Sequence, residues 1–464
     1  MLNHIWGRVK GAVGGGGGGA VGDVAGETRE AGVGAGGGTG ADADALSQLP
    51  RAQRAHSTDG GVSAARRGRI ERLLASKAVD VAALRDASWA GLPDDLRPDV
   101  WRILLGYAPP AAERRPAALA RKRREYADWL PTTFGAPGAD LDRSEEEEAT
   151  YKQIGLDVPR TAAGAPFVAH TRLQQSLHRC LYVWAMRHPA SGYVQGINDL
   201  ATPFLAVFLE ERLRENAAAG SASAARGGEG ARRDYFFFGR TASEDDGGEG
   251  DAEGGGTAAE QSEQPPAQDD GGLQLGADAP ETPSSARRVE GAVAAAVSAL
   301  PEALLLAAEA DVYWCLCEML DRIHDHYTFA QPGIQVKCDS LAELVARLEP
   351  RAAANIEEQG LQFLQFAFRW FNCLLIREVP FCCAPRLWDA YLAEGDDFPD
   401  FLIYVAAALL LTFSSEVCTM EFQDLVMFIQ SLPTKEWDVA DLDMVLSRAF
   451  MWRATAQLPA VGPT

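Results

Sequence analysis

Apolar residues recur at spacings of three and four along most of this 464-residue chain. Nowhere do they alternate with polar ones over a strand's length between hairpin turns. Ile70, Leu73, Leu74 and Val81 mark one face of a helix predicted over 66–88. In GLPDDLRPDVWRILLGY (91–107), Val100, Trp101, Leu104 and Leu105 form an inward stripe, and Pro93 and Pro98 suit the first turns of helices. ALARKRREYADWL (118–130) is amphipathic with one basic side. LQQSLHRCLYVWAMR and ATPFLAVFLEERL predict a helix on either side of residues 188–200. From about 292 to 455 helix follows helix: ADVYWCLCEMLDRI, then LQFLQFAFRWFNCLLI (361–376), which is apolar nearly all round and predicts a central helix, then RLWDAYLA, FQDLVMFIQSL and DLDMVLSRAF. The longest apolar run, FLIYVAAALLLTF (401–413), is too short to span a bilayer and is expected as a buried helix, so no transmembrane segment is expected. No solenoid repeat is present. The expected fold is all-α: one large multi-helix domain over 66–455.

Two stretches interrupt this pattern. Residues 1–65 include a Gly/Ala tract that buries too little side chain to offset ordering and are expected to be a disordered tail. Residues of about 216–290, rich in Gly, Ser, Pro and acid, are expected to be a disordered insertion, because helical patterning resumes after them. YFFFGR (235–240) is an apolar island within it, a helix extension or a docking segment, and 456–464 form a further tail. The glycine tract lacks the Lys-Ser/Thr pair of a phosphate-binding loop. MLNHIWGRVK lacks the apolar core of a secretory leader, and its Leu2, Ile5, Trp6 and Val9 share a short helical face that fits a frayed terminus better than an anchor.

The net charge is −22, about half of it in the 241–290 stretch, which argues against a nucleic-acid partner. Cys180, Cys315, Cys317, Cys338, Cys373, Cys382, Cys383 and Cys418 form no C-x-x-C pair and read as reduced thiols of an intracellular protein. No metal site is expected: His324 and His326, two apart, point to different faces of a helix.

Two segments are polar where a core or a plain turn would do, YKQIGLDVPRT (151–161) and SGYVQGINDL (191–200). Pro159 ends a helix near Val158, leaving Arg160 at an irregular, exposed point with Asp157 three residues before it. Taken with two further blocks, these segments resemble the TBC domain, the Rab GTPase-activating module. IGLDVPRT resembles its I-x-x-D-x-x-R motif and YVQGINDL its Y-x-Q-G-[MI]-N-D motif. GLPDDLRPDVWRILLGY, with Arg97 and Trp101, resembles the opening element, and FRWFNCLLIREVPFCCAPRLWDAYL, with Arg369, Trp370, Trp388 and Asp389, a third block. The four blocks stand in family order over about 91–390. RRPAALARKRREY, WAMRHPASGYVQGINDL, EADVYWC and DHYTFAQPGIQ resemble one animal subgroup more closely still.

The resemblance implies a GTPase activator that works in trans on a GTP-bound Rab-family small GTPase. Arg160 would be the arginine finger and Gln195 the glutamine finger. It implies no cofactor of the chain's own, since GTP and Mg²⁺ belong to the partner. It implies a cytoplasmic protein recruited peripherally to the Golgi or other endomembranes. Gly192 and Gly196 are expected to let the backbone approach the nucleotide, Asn198 and Asp199 to cap the next helix and brace the loop, Tyr193 to pack beneath it, and Asp157 to fix Arg160. Ile197 stands where the motif more often has Met, a volume-conserving change. The alternative is a non-catalytic Rab-binding scaffold that keeps the fold.

Overall fold

The computed structural model describes residues 63–135, 143–161, 165–224 and 285–455, all within one compact unit, Thr58–Thr464. The Gly/Ala tract, YFFFGR and the 456–464 tail lie outside the described residues. The first half contributes α1 Ala64–Leu74, α2 Val81–Ser88, α3 Arg97–Leu104, α4 Arg115–Phe134, α5 Glu145–Asp157, α6 Thr171–Arg187 and α7 Ile197–Ala224. The second contributes α8 Ser285–Ala299, α9 Glu302–Asp321, α10 Pro332–Leu348, α11 Pro350–Glu358, α12 Phe363–Asn372, α13 Ala384–Glu394, α14 Phe398–Leu411, α15 Ser414–Val417, α16 Phe422–Gln430 and α17 Val439–Thr455. The architecture is all-α; the β geometry among the described residues is an isolated bridge between Ala78 and Ala111.

Three helices differ from their expected extents. The helix expected over 66–88 is two helices. Ser76 turns its hydroxyl onto Leu73 O and Ala78 O, Val79 N–H donates to Pro110 O, and Asp80 caps α2 by accepting from Ala83 N–H at 3.0 Å. The apolar run 361–376 is helical only to Asn372, because Leu374 and Leu375 take the left-handed conformation at φ +49° and +63°. Nor is α12 buried all round, since Leu364 is exposed. Finally, α7 continues to Ala224, well into the region expected as insertion, and α8 begins at Ser285. The alanines of NAAAGSASA are strong helix formers and extend a helix already nucleated by its buried half.

The 401–413 run forms α14, whose residues from Phe401 to Leu411 are buried as expected, against α17, α10 and α13. Among the described residues no single helix is long and apolar enough to cross a membrane. α9 packs on α7, α6 and α4, and it carries two fully buried carboxylates. Asp311 accepts from Arg102, Arg123 and Tyr107, and Glu309 from Arg179 and Tyr126. Burial alone would raise the Asp311 pKa; the Arg102 guanidinium and its neighbours outweigh that and bring it down to about 2. Each carboxylate thus ties α9 to elements distant in sequence.

A third buried carboxylate fastens the N-terminal elements to the second half. Asp389 on α13 accepts from Leu92 N–H at 3.0 Å, Arg97 Nε at 3.1 Å and Trp101 Nε1 at 2.7 Å. Trp388 beside it is fully buried. Removing the carboxylate leaves the buried Arg97 guanidinium with less than its share of partners. Asp389→Ala is expected to cost on the order of 3–5 kcal/mol of unfolding free energy, and Asp389→Asn, which keeps one acceptor, less. Denaturant unfolding of both variants measures this.

His326 is fully buried, and burial first, then the nearby Lys337 ammonium, pushes its pKa down to about 4. An unfolded-state histidine titrates near 6.5, so between about pH 6.5 and 4 the unfolded chain binds the proton and the folded chain does not. Stability therefore falls as pH drops through that window and levels off below it. Melting temperatures of wild type and His326→Phe across pH 7–4 should converge as the pH falls, with the variant losing less.

Candidate functional site

The site is built where two chain segments meet over a third. The first is the end of α5. Pro159 has no N–H to continue the helical ladder, so the chain tightens into a 3₁₀ turn over Val158–Arg160. Thr161 closes it, with its N–H on Val158 O at 3.1 Å and its hydroxyl on Asp157 O at 3.0 Å. Arg160 is thrown outward and exposed, and among the described residues no side chain or carbonyl pairs with it.

The second segment links α6 to α7. His188 ends α6, its N–H and its ring both on Trp184 O, and the chain turns at Gly192, φ +62°, whose N–H donates to His188 O at 2.8 Å. Gln195 is exposed at the tip, and α7 starts two residues later. Asn198 accepts from Gly196 N–H at 2.9 Å and from the Tyr193 hydroxyl at 3.2 Å, and donates to Thr161 Oγ1 at 2.8 Å. Tyr193 also donates to Asp157 Oδ2 at 3.1 Å. The buried Asp157 accepts in addition from Gln153 at 3.0 Å and, at a long 3.4 Å, from the Gln195 carboxamide nitrogen. Burial first, then the Asp157 carboxylate, raises the Tyr193 pKa far above its ordinary value, so the phenol stays a donor.

The third segment is the end of α12. Asn372 donates from Nδ2 to the backbone carbonyl of Gln195 at 2.8 Å, while its own carbonyl accepts from the Tyr327 hydroxyl at 2.8 Å. Gly196 has φ +117°, and a Cβ there would stand 2.3 Å from Asn372 Nδ2. Arg377, just past the left-handed pair, clamps Asp199 through Nε at 2.8 Å and Nη2 at 2.7 Å. Burial, and then the Asp199 carboxylate, pushes the Cys373 thiol beneath up to about 12, so it acts as an inert apolar filler.

The predicted residues therefore separate into two groups. Asp157, Arg160, Gly192, Tyr193, Gln195, Gly196, Asn198 and Asp199 gather at one place. Arg97, Trp101, Trp388 and Asp389 form the buried anchor described above. Arg369 pairs with Glu378 and donates to Gln430 O at 3.0 Å, and Trp370 is core. One expected role changes, that of Asp157. The Asp157 carboxylate holds the glutamine loop, through Tyr193 and Gln195, and makes no bond to Arg160: the carboxylate is buried and the guanidinium exposed. The close approach at Gly196 is to Asn372 of the same chain, and Gly192 faces open space. Asp199 is engaged by Arg377, and Asn198 braces the loop by accepting from Gly196.

Asn372, Thr161, Arg377 and Tyr327 were not singled out in the sequence. Two of them carried a signal: Asn372 is the one uncharged polar side chain inside FRWFNCLLI, and Arg377 opens the REVP of the third block.

A rigid platform thus presents one guanidinium with no partner among the described residues and one weakly held carboxamide. The first suits an anionic oxygen; the second can accept from water through oxygen and donate through nitrogen.

The "Rab-GTPase-TBC domain" family pattern matches residues 94–217 and 294–418. TBC1 domain family member 22A of Macaca fascicularis is 35% identical over 388 residues, 83% of this chain and 62% of that protein. GTPase-activating protein gyp1 of Schizosaccharomyces pombe is 36% identical over 387 residues, 83% of this chain and 60% of that one. The crystal structure of the Ypt/Rab-GAP domain of Gyp1p superposes with a TM-score of 0.64 at 32% identity, covering 85% of this chain and 99% of that domain. This chain spans about three fifths of the length of these two relatives. With matched segments that cover both polar motifs and the α12–α13 block, and with the same fold as the Gyp1p domain, the chain belongs to the Rab-GTPase-TBC domain family.

Proposed function

We propose that this chain is a GTPase-activating protein for a GTP-bound Rab-family small GTPase, working in trans by two fingers. The observation that carries the reading is that Arg160 and Gln195 are both exposed on segments tied together by buried neighbours, with the guanidinium left unpaired among the described residues. Hydrolysis of GTP builds charge on the γ-phosphate and the β–γ bridging oxygen. A guanidinium brought from outside donates several hydrogen bonds to those oxygens, an effect worth about 10³–10⁵ in rate. The Gln195 carboxamide accepts from the attacking water and donates to a phosphate oxygen. In the free chain its nitrogen rests against Asp157 at 3.4 Å, longer than a good hydrogen bond, so releasing it costs little.

Nucleotide and Mg²⁺ stay with the GTPase, and the activator contributes only its own side chains. Cytoplasmic residence with peripheral recruitment to the Golgi or other endomembranes is part of the same proposal and rests on the subgroup resemblance alone.

Single-turnover GTP hydrolysis across a panel of Rab GTPases tests the reading; a scaffold would bind without accelerating. Arg160→Ala should lower kcat by about 10³ or more, and Arg160→Lys should restore little, because the planar fork is lost. Gln195→Ala should be nearly as damaging and the double variant little worse, since both act on one transition state. A substrate Rab whose own switch glutamine is changed to Leu should still be accelerated. Loss of that acceleration, together with a mild Gln195→Ala, would leave Arg160 as a lone finger.

Asn372 is a positioning residue for Gln195, through the backbone carbonyl. Asn372→Asp turns an acceptor toward that carbonyl and should lower kcat about tenfold or more while KM stays within a few-fold. In a Gln195→Ala background the same change should add almost nothing, a coupling that a general loss of folding would not produce.

A further inference from the structure

Phe329 is 97% exposed, yet the loop that carries it is tightly built. Thr328 N–H donates to His324 O at 3.2 Å and Gln331 N–H to Thr328 O at 2.9 Å. The Gln331 side chain donates to His326 O at 2.8 Å and that of Gln335 to Ala330 O at 2.7 Å. The two residues after Phe329, Ala330 and Gln331, both hold positive φ, +65° and +49°, a costly conformation for non-glycine residues. An ordered, strained loop whose product is a bare aromatic ring has the character of a preorganised contact.

Its place in the fold supplies the occupant. Tyr327, two residues back, is buried and donates to Asn372 O, and Asn372 in turn holds the Gln195 carbonyl. Consecutive Cα atoms lie about 3.8 Å apart, so the Phe329 backbone stays within about 8 Å of Tyr327 and is continuous with the finger platform. Leu156, 57% exposed, immediately precedes Asp157. A protein that covers both fingers buries roughly 800 Å² on this side, enough to reach beyond the fingers to neighbouring loops.

We propose that Phe329 is an affinity anchor that inserts into an apolar depression on the GTPase engaged by the fingers. This rests on the reading of the chain as a GTPase activator. The ring takes no part in chemistry. It adds binding that is equal in the ground and transition states, and so it sets KM and the choice among GTPases of differing surface shape.

The test pairs affinity with turnover on Rab GTPases loaded with a non-hydrolysable GTP analogue and, separately, with GTP. Phe329→Ala should raise Kd and KM about tenfold and Phe329→Asp at least as much, with kcat within about twofold and the melting temperature unchanged, because the side chain packs on nothing. Arg160→Ala should do the reverse, losing kcat and keeping Kd. If both Phe329 variants leave Kd within about twofold, the proposal fails. It also fails if no Rab of the panel binds. It fails again if Phe329→Asp dissociates a self-associated chain in sedimentation velocity, or releases it from phosphatidylcholine–phosphatidylserine vesicles, with GTPase affinity unchanged; the occupant is then a second copy or a bilayer. Full turnover in Arg160→Ala together with weakened binding in Phe329→Ala would overturn the finger assignment alone and support the anchor.

Discussion

The Asp157 carboxylate is the interaction on which the site depends. It is buried, and it collects donors from Gln153, Tyr193 and Gln195. A buried carboxylate left short of donors costs several kcal/mol, so the α6–α7 loop must keep Tyr193 in place or lose that compensation. Tyr193 then fixes Asn198, and Asn198 reaches back to Thr161, four residues and one turn past Asp157. The circuit closes on the segment where it began. Rigidity is thereby supplied by side chains other than the two exposed ones. The Arg160 guanidinium stands outside the circuit, exposed and with no partner among the described residues.

The circuit floats on a scaffold with its own polar anchors. Asp311 and Glu309 on α9, and Asp389 on α13, each draw together elements far apart in the chain. Fully buried acids paired with Arg add less net stability than apolar packing of the same volume would. Where they break, however, the loss is large, and a helix cannot slide by a turn without uncovering one of them. In an all-α fold, where apolar stripes can pack in more than one register, such points specify one arrangement.

Much of this was legible in the sequence. Spacing of three and four located most helices, and the uninterrupted run at 401–413 correctly indicated a helix buried on all sides. The two motif segments were visible as polarity out of place, and Pro159 placed Arg160 outside a helix. What could not be read has one physical cause: partners that are remote in sequence. The break at 75–80 depends on a bridge to 110–112. The end of α12 at Asn372, inside an apolar run, coincides with two remote bonds, from the side-chain amide to Gln195 O and from the Tyr327 hydroxyl to the Asn372 backbone carbonyl. Asp157 was assigned to the nearest cation along the chain, whereas its partners, Gln153 apart, come from another loop, 36 and 38 residues away.

α7 begins two residues after Gln195 and runs unbroken to Ala224. At 1.5 Å per residue, that places the point where the chain leaves this helix about 40 Å along the axis from the glutamine loop. The first two turns answer to the Gln195 loop, while the last two answer to nothing in the site. One helix thus separates the part of the domain that must be conserved in geometry from the part that is free to vary in length. A change of chain length between Ala224 and Ser285 therefore enters the domain at a point remote from the Gln195 loop.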